Sequence, residues 1–421
     1  MRCSILRHST AFAIRIANRP ESMNKYIERL YNSGNKSSRK ILGLMSGTSL
    51  DGLDIALCDI QYHGQQTIVR VERFTTVNYD VEFRLAIQQV FARRDVDLQE
   101  VTLLNGWVAD CHAALINQTL SKWQVEPETI DCIASHGQTI FHCPKEQHGL
   151  PDYGNGTLQI GDGDRLATAT GIITLSDFRQ KHIAAGGEGA PLAVYGDYLV
   201  FGSETENRVL LNIGGIANFT WLPAGQQAMD VFSTDIGPGN TILDAFVSKH
   251  FSHLRYDKNG EIAKRGTVNE ALLNELLRFE FFDAPVPKTT GPEVFNLEYL
   301  HQSRLHSQTL TLPKEDVVAT LTAFTAKAIA NGIVDAVQTS MDTTVYLSGG
   351  GVHNPMLTSA IQADLPANFT LKNLAELGID PDAKEALLFA ILANETLAGG
   401  PCFKDNRYGI PETTMGKISL P

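Results

Sequence analysis

The stretch Ile41-Leu-Gly-Leu-Met-Ser-Gly-Thr-Ser-Leu-Asp-Gly-Leu-Asp54 decides how the chain folds. Ile41–Ser46 is a short apolar run that stops at Gly47. A second run, Leu53–Ile60, begins after a turn of glycines and hydroxyl residues, and Thr67–Thr75 is a third. Three short runs joined by tight turns predict three sequential strands.

Outward from these strands the pattern alternates. Helical periodicity runs from Val81 to Trp123 with a break near Arg93–Asp97, and Ile130–Ser135 is a buried strand ending at Gly137. A short helix near Asp164–Thr170 leads to a strand at Ile172–Leu175. Ala190–Phe201 reads as a helix with Pro191 in its first turn. The second half repeats the order. Arg208–Ile213, Ala217–Leu222 and Met229–Thr234 are strands, and helical stretches follow over Thr241–Phe251, Val268–Phe279 and Asp316–Gln338. Val345–Ser348 and Phe369–Lys372 are strands that alternate with helices over Met356–Leu365 and Asp382–Leu397.

Each half therefore reads βββαβαβα, with no residue-level repeat between them. The expected fold class is α/β: two duplicated lobes, each a mixed sheet with helices on its faces, around a central cleft. The expected lobes are residues 41–205 and 206–421, joined at the polar stretch Ser203–Asn207. Residues 1–40 are rich in arginine and show no sustained amphipathic period. They read as a disordered extension, a weak transit peptide or an upstream segment before a start at Met23.

The chain has 421 residues, enough for two domains with sizeable cores. A net charge of −12 argues against a nucleic-acid partner, which needs a basic surface to meet phosphates. Cys3, Cys58, Cys111, Cys132, Cys143 and Cys402 stand at no metal or redox spacing, so reduced thiols in a cytoplasmic protein is the simple reading. No stretch approaches the ~20 apolar residues that span a bilayer, so no membrane partner is expected. A homodimer stays open.

Neither Gly-x-x-x-x-Gly-Lys-Ser/Thr nor Gly-x-Gly-x-x-Gly occurs after a strand, so phosphate must be held another way. Gly47, Thr48, Ser49, Leu50, Asp51, Gly52, Leu53 and Asp54 form the best candidate loop. Glycines let backbone amides converge on an anion, and hydroxyls add donors. Asp51 or Asp54 could orient magnesium-bound water. A plain hairpin turn is the competing reading. Gly214 and Gly215 hold the pattern-equivalent turn in the second half, so the two turns could grip one polyphosphate from both sides. Asp235–Asn240 opens a helix whose N-terminus favours anions. Gly349 and Gly350, with Gly351, lie between strand and helix, where adenine could approach closely.

Asp177 follows an apolar strand, and a carboxylate at the C-terminal end of such a strand points into the crevice of an α/β sheet. It is the candidate general base. A helix cap, or a partner for Arg179, is the competing reading. Ser135, His136 and Gln138 end another strand and offer donors for sugar hydroxyls. His136 with His142 and His148 fits no standard zinc pattern.

These segments together resemble the anhydro-N-acetylmuramic acid kinases, of the sugar kinase, actin and hexokinase superfamily. The resemblance spans residues 41–400. It rests on Gly43–Gly52, Ser135–Thr139, Leu158–Asp162, Asp177–Arg179, Ala184–Pro191, Leu211–Asn218, Asp235–Asn240, Thr290–Leu297 and Gly349–Pro355. It implies an enzyme that opens the bridge of 1,6-anhydro-N-acetylmuramic acid with water and phosphorylates O6 from ATP. Asp177 then matches the residue that activates the water, and Gly47–Asp54 the ATP-binding segment. A kinase for another anhydrosugar, such as levoglucosan, is the alternative. A nucleotide-driven scaffold is a third reading, disfavoured by a base at the cleft. The arginine-rich extension and the ending Thr414-Met-Gly-Lys-Ile-Ser419 depart from the family pattern.

Overall fold

A computed structural model of the chain describes residues 23–337 and 339–421. Before the first expected strand, the side chain of Asn24 caps a helix, α1 (Lys25–Gly34), by accepting from Tyr26 N at 2.9 Å. The first lobe continues with strands β1 (Ser38–Ser46), β2 (Gly52–Gln61) and β3 (Ile68–Asn78), then helices α2 (Val81–Val90) and α3 (Leu98–Trp123). Next come β4 (Cys132–Cys143), a single turn α4 (Lys145–His148), β5 (Gly156–Ile160), α5 (Gly163–Thr170), β6 (Thr174–Ser176), α6 (Phe178–Ala184) and α7 (Ala193–Phe201). The second half holds β7 (Asn207–Ile213), β8 (Ile216–Leu222), β9 (Phe232–Pro238), α8 (Thr241–His250), α9 (Glu270–Leu276), α10 (Leu297–His306) and α11 (Lys314–Val337). It ends with β10 (Thr343–Ser348), α12 (Pro355–Asp364), β11 (Phe369–Asn373), α13 (Lys384–Ala398) and β12 (Lys417–Ser419).

The duplication is visible in the sheet orders. The first sheet runs β6-β4-β1-β2-β3 and the second β11-β10-β7-β8-β9. In each, the first three strands are antiparallel, and the fourth and fifth add in parallel beside the first. This is the duplicated mixed sheet expected of the actin and hexokinase class. Two strands fall outside the repeat. β5 pairs with the end of β4, and β12 adds antiparallel to β6 at the edge of the first sheet.

The simple division at residue 205 needs correcting. α13 comes from the second half but packs on β1, β2 and β4 of the first sheet, and β12 extends that same sheet. Ten of its residues, from Ala386 to Glu395, are buried. Their core also takes in Tyr195 and Leu199 of α7, Leu210 and Leu222 of the second sheet, and Ile41 and Cys58 of the first. α7 is apolar on all sides because it sits between these layers. Its buried Asp197 accepts from Thr220 Oγ1 on β8 at 2.7 Å and pairs with Lys384 of α13 at 2.8 Å. The chain thus crosses between the sheets twice, at α7 and before α13.

The extension also needs correcting from Asn24 onward; residues 1–22 lie outside the described residues. α1 is bound to the lobe: Ser33 Oγ donates to Asp131 Oδ1 at 2.8 Å and Arg29 Nη2 to Ile130 O at 2.6 Å. Arg39, at the start of β1, is 1% exposed and donates from Nε to Asn394 of α13 at 2.6 Å. Among the described residues one helix, α11, is long and apolar enough to cross a membrane. Most of it is buried in the core beneath the second sheet.

Candidate active site

The loop between β1 and β2 is held from below. Ser46 Oγ donates to Gln138 Oε1 and accepts from the Tyr79 hydroxyl at 2.7 Å, while Tyr79 also meets His112 Nε2 at 2.9 Å. Gln138 Nε2 in turn donates to the carbonyls of Thr139 and Gly47, at 3.2 and 3.4 Å. Gln138 is fully buried, so its amide braces the loop and offers no donor to a sugar. Burial lowers the pKa of His112 to about 4, so that ring is neutral.

Leu50 and Gly52 are fixed by packing. Leu50 takes a left-handed φ of 58° with its side chain 4% exposed, and a side chain on Gly52 would lie 2.5 Å from Val77 O. Gly47 is different: a side chain there would meet nothing nearer than Ser49 Oγ at 3.6 Å. Its lack of a side chain is not demanded by the protein. Thr48, Ser49 and Asp51 stand beside it, all three exposed. Leu53 is core. Asp54 accepts from Thr76 Oγ1 at 2.5 Å. Burial pushes its carboxyl above the usual range, helped by Asp382 and Asp51. Glu385 on α13 is raised in the same way, by burial and by Asp54. The charges of Asp51, Asp382 and Glu385 are thus felt around Asp54.

In the second half the turn Gly214–Gly215 folds back on the start of α8. Its carbonyls accept from the backbone amides of Gly239 (2.8 Å), Asn240 (2.8 Å) and Thr241 (3.1 Å). Those three amides are therefore taken up by the turn itself. Asp235 accepts from Thr290 N at 2.9 Å, and burial with nearby Glu293 raises its pKa to about 6. This links the two motifs around Asp235 and Thr290, a contact that sequence reading missed. At the third turn, side chains on Gly349 and Gly351 would collide with Asn212 and Ile213, whereas Gly350 faces open space.

Asp177 follows β6 in a left-handed conformation (φ 55°, ψ 50°) at the N-cap of α6. Its side chain makes no cap hydrogen bond, and it pairs instead with Nζ of Lys417 on β12. The two competing readings, cap and Arg179 partner, both fail. Arg179 turns the other way. It donates to His136 Nε2 at 2.9 Å and to Gly189 O at 2.7 Å.

His136 has both ring nitrogens engaged, because Nδ1 faces Gly137 O at 2.9 Å. A ring that accepts at Nε2 must carry its proton on Nδ1. Burial and the Arg179 charge bring its pKa to about 3. It is 3% exposed and lies on Phe389, with centroids 4.8 Å apart. Ser135 is buried between β1 and β6. His136 and Gln138 are engaged by protein partners and Ser135 is buried, while Arg179 and His182 order the loop beside them. His182 Nδ1 accepts from Gly189 N at 2.9 Å, so the glycine-rich loop Gly186–Gly189 is tied at both its amide and its carbonyl. Among the described residues no cluster of His, Cys, Asp and Glu is arranged to hold a metal by itself.

A duplicated mixed-sheet fold, with a braced glycine turn after one strand and a carboxylate at the end of another strand of the same sheet, defines a phosphotransferase of the sugar kinase class. Comparison narrows the class. The family described as AnmK, anhydro-N-acetylmuramic acid kinase, matches residues 39–418. A protein of that name from Pseudoalteromonas atlantica is 58% identical over 95% of this chain and all of its own length. One from Pseudoalteromonas translucida is 56% identical over 94% of this chain. One from Caldanaerobacter subterraneus is 38% identical over the same share. The chain belongs to the anhydro-N-acetylmuramic acid kinase family. It is a kinase and uses ATP.

Proposed function

We propose that the chain opens the bridge of 1,6-anhydro-N-acetylmuramic acid and phosphorylates the sugar, giving N-acetylmuramic acid 6-phosphate. The observation that carries the reading is Asp177, a carboxylate at a strand end that is not used to cap its own helix. Its carboxylate takes a proton from water as the water oxygen bonds to C1. The C1–O6 bond breaks, and O6 attacks the γ-phosphorus of ATP as the bond to ADP breaks. The relatives' names carry this sugar, which favours it over levoglucosan.

The phosphates would lie over Gly47, where a side chain would fill open space, and adenine near Gly350 for the same reason. Magnesium would come with the nucleotide and neutralise phosphate charge. Asp51 and Asp54 would hold its waters. The charge of Asp51, Asp382 and Glu385 around Asp54 supports this, because mutual repulsion of carboxylates is relieved by a divalent cation. The product would enter amino-sugar salvage from peptidoglycan in the cytoplasm, where ATP is supplied.

ADP release by the full chain, measured over a panel of anhydrosugars, tests the proposal. Turnover should depend strictly on sugar and be most efficient with 1,6-anhydro-N-acetylmuramic acid. ATP hydrolysis without sugar, or a higher kcat/KM on levoglucosan, overturns it.

A further inference from the structure

The tail of the chain, which the family model matches as far as residue 418, is built into the site. Met415 is 1% exposed within the core shared by α13 and the first sheet. Its backbone is clamped by Thr396 of α13, whose hydroxyl donates to Met415 O at 2.6 Å and accepts from Met415 N at 3.2 Å. Gly416, with φ 103°, turns the chain into β12 against the ring of Phe178. β12 then pairs with β6, setting Lys417 opposite Ser176, Ile418 opposite Leu175 and Ser419 opposite Thr174. This register delivers the Lys417 ammonium to Asp177 Oδ2, with the lysine side chain 68% exposed and the aspartate 25%.

A carboxylate that removes a proton from water needs a free oxygen, and the ammonium engages Oδ2 of Asp177 alone, which leaves Oδ1 for that task. Arg179 cannot serve the substrate instead, being committed to His136 and Gly189. The sugar proposed above carries a lactyl carboxylate and enters a chain of net charge −12. Long-range electrostatics opposes its approach, so a local cation is required.

We propose that Lys417 is the specificity residue for the acid group of the sugar. Its ammonium turns from Asp177 Oδ2 to the substrate's carboxylate, while Oδ1 takes the proton of water. This rests on the functional reading above. A lysine suits the role, with three donors on a flexible four-carbon stem that can change partner.

The test compares two sugars with the same ring, 1,6-anhydro-N-acetylmuramic acid and 1,6-anhydro-N-acetylglucosamine, which lacks the lactyl group. Steady-state kinetics is measured on the full chain, on Lys417→Met and on Lys417→Arg. Lys417→Met should raise KM for the acidic sugar about tenfold or more, as expected for loss of a charge-assisted hydrogen bond. Because Lys417 also touches the base, kcat/KM on the neutral sugar should fall as well, but at least about tenfold less than on the acidic sugar, and Lys417→Arg should recover most of the affinity. An equal loss on both sugars would make Lys417 only a prop for Asp177 and overturn the assignment, as would no loss on either. Failure of the unaltered chain to turn over either sugar would instead remove the functional reading, and the assignment with it.

Discussion

Arg179 donates from Nε to the unprotonated Nε2 of His136 at 2.9 Å, and the two side chains lock α6 to β4. The pair demands a neutral ring. His112 and His182 are held neutral too, with burial the largest cause for each, and their pKa values fall to about 4 while that of His136 falls to about 3.

These histidines set the acid limit of stability. In the unfolded chain each binds a proton near pH 6.5, and in the folded chain only near pH 3–4. Stability is complete above pH 6.5 and falls as pH drops toward the folded values. Each ring contributes a slope of about 1.4 kcal/mol per pH unit. Urea unfolding at pH 7.5 and pH 5 should show the loss, and His112→Gln should make it shallower. Equal midpoints at the two pH values would mean that the rings are charged in the fold.

The glycines of the first loop separate binding from folding. Gly47→Val should lower nucleotide affinity about tenfold or more while keeping the melting temperature, because its side chain enters space free of protein atoms. Gly52→Ala should do the reverse, since its Cβ would meet Val77 O at 2.5 Å, and overpacking costs about 1–3 kcal/mol. Nucleotide titration and thermal unfolding on both variants decide the matter. Unchanged affinity in Gly47→Val would leave the loop a hairpin turn.

Much of this architecture was legible, and the reasons that parts were not are local. The strands of both sheets appear as short apolar runs because each sheet is covered by helices. β12 escaped because only three residues, Lys417–Ser419, pair, and two of them are exposed. α6 escaped because seven residues are too few to display a period, so the ordering roles of Arg179 and His182 went unseen. His136 and Gln138 looked like ligands by composition. Which way a polar side chain turns at a strand end depends on partners such as Arg179, forty-odd positions away, and Ser46.

α1 was missed because it is short and flanked by arginine-rich sequence: Leu30 packs on the core shared with α13, Ser33 and Arg29 make polar contacts, and Lys36 pairs with Asp131 just beyond the helix. Removing residues 1–36 should therefore destabilise the protein, leaving Asp131 (5% exposed) without two of its partners. An unsatisfied buried group costs about 1–3 kcal/mol, more when charged. Removing residues 1–22 spares all these contacts. Equal melting temperatures for the two truncated chains would show that α1 contributes nothing.

Asp177→Asn isolates the proposed chemistry. Asparagine tolerates the left-handed backbone found here, φ 55° and ψ 50°, as readily as aspartate does, so no strain is introduced. The side chain caps nothing, and its ion pair is with a lysine that is 68% exposed, a type of pair worth little to stability. The melting temperature should therefore barely move. Asparagine cannot take a proton from water at neutral pH, and general base catalysis contributes about 10²–10⁴-fold. Turnover should fall by at least about 10²-fold, or roughly 3 kcal/mol of barrier, while ATP still binds. Alanine at the same place would confuse the result, because it tolerates a left-handed backbone less readily than aspartate or asparagine does. Turnover close to that of the unaltered chain, with stability intact, would take Asp177 out of the mechanism and move the search for the base to Asp235, the half-buried carboxylate raised to about 6 in the second lobe.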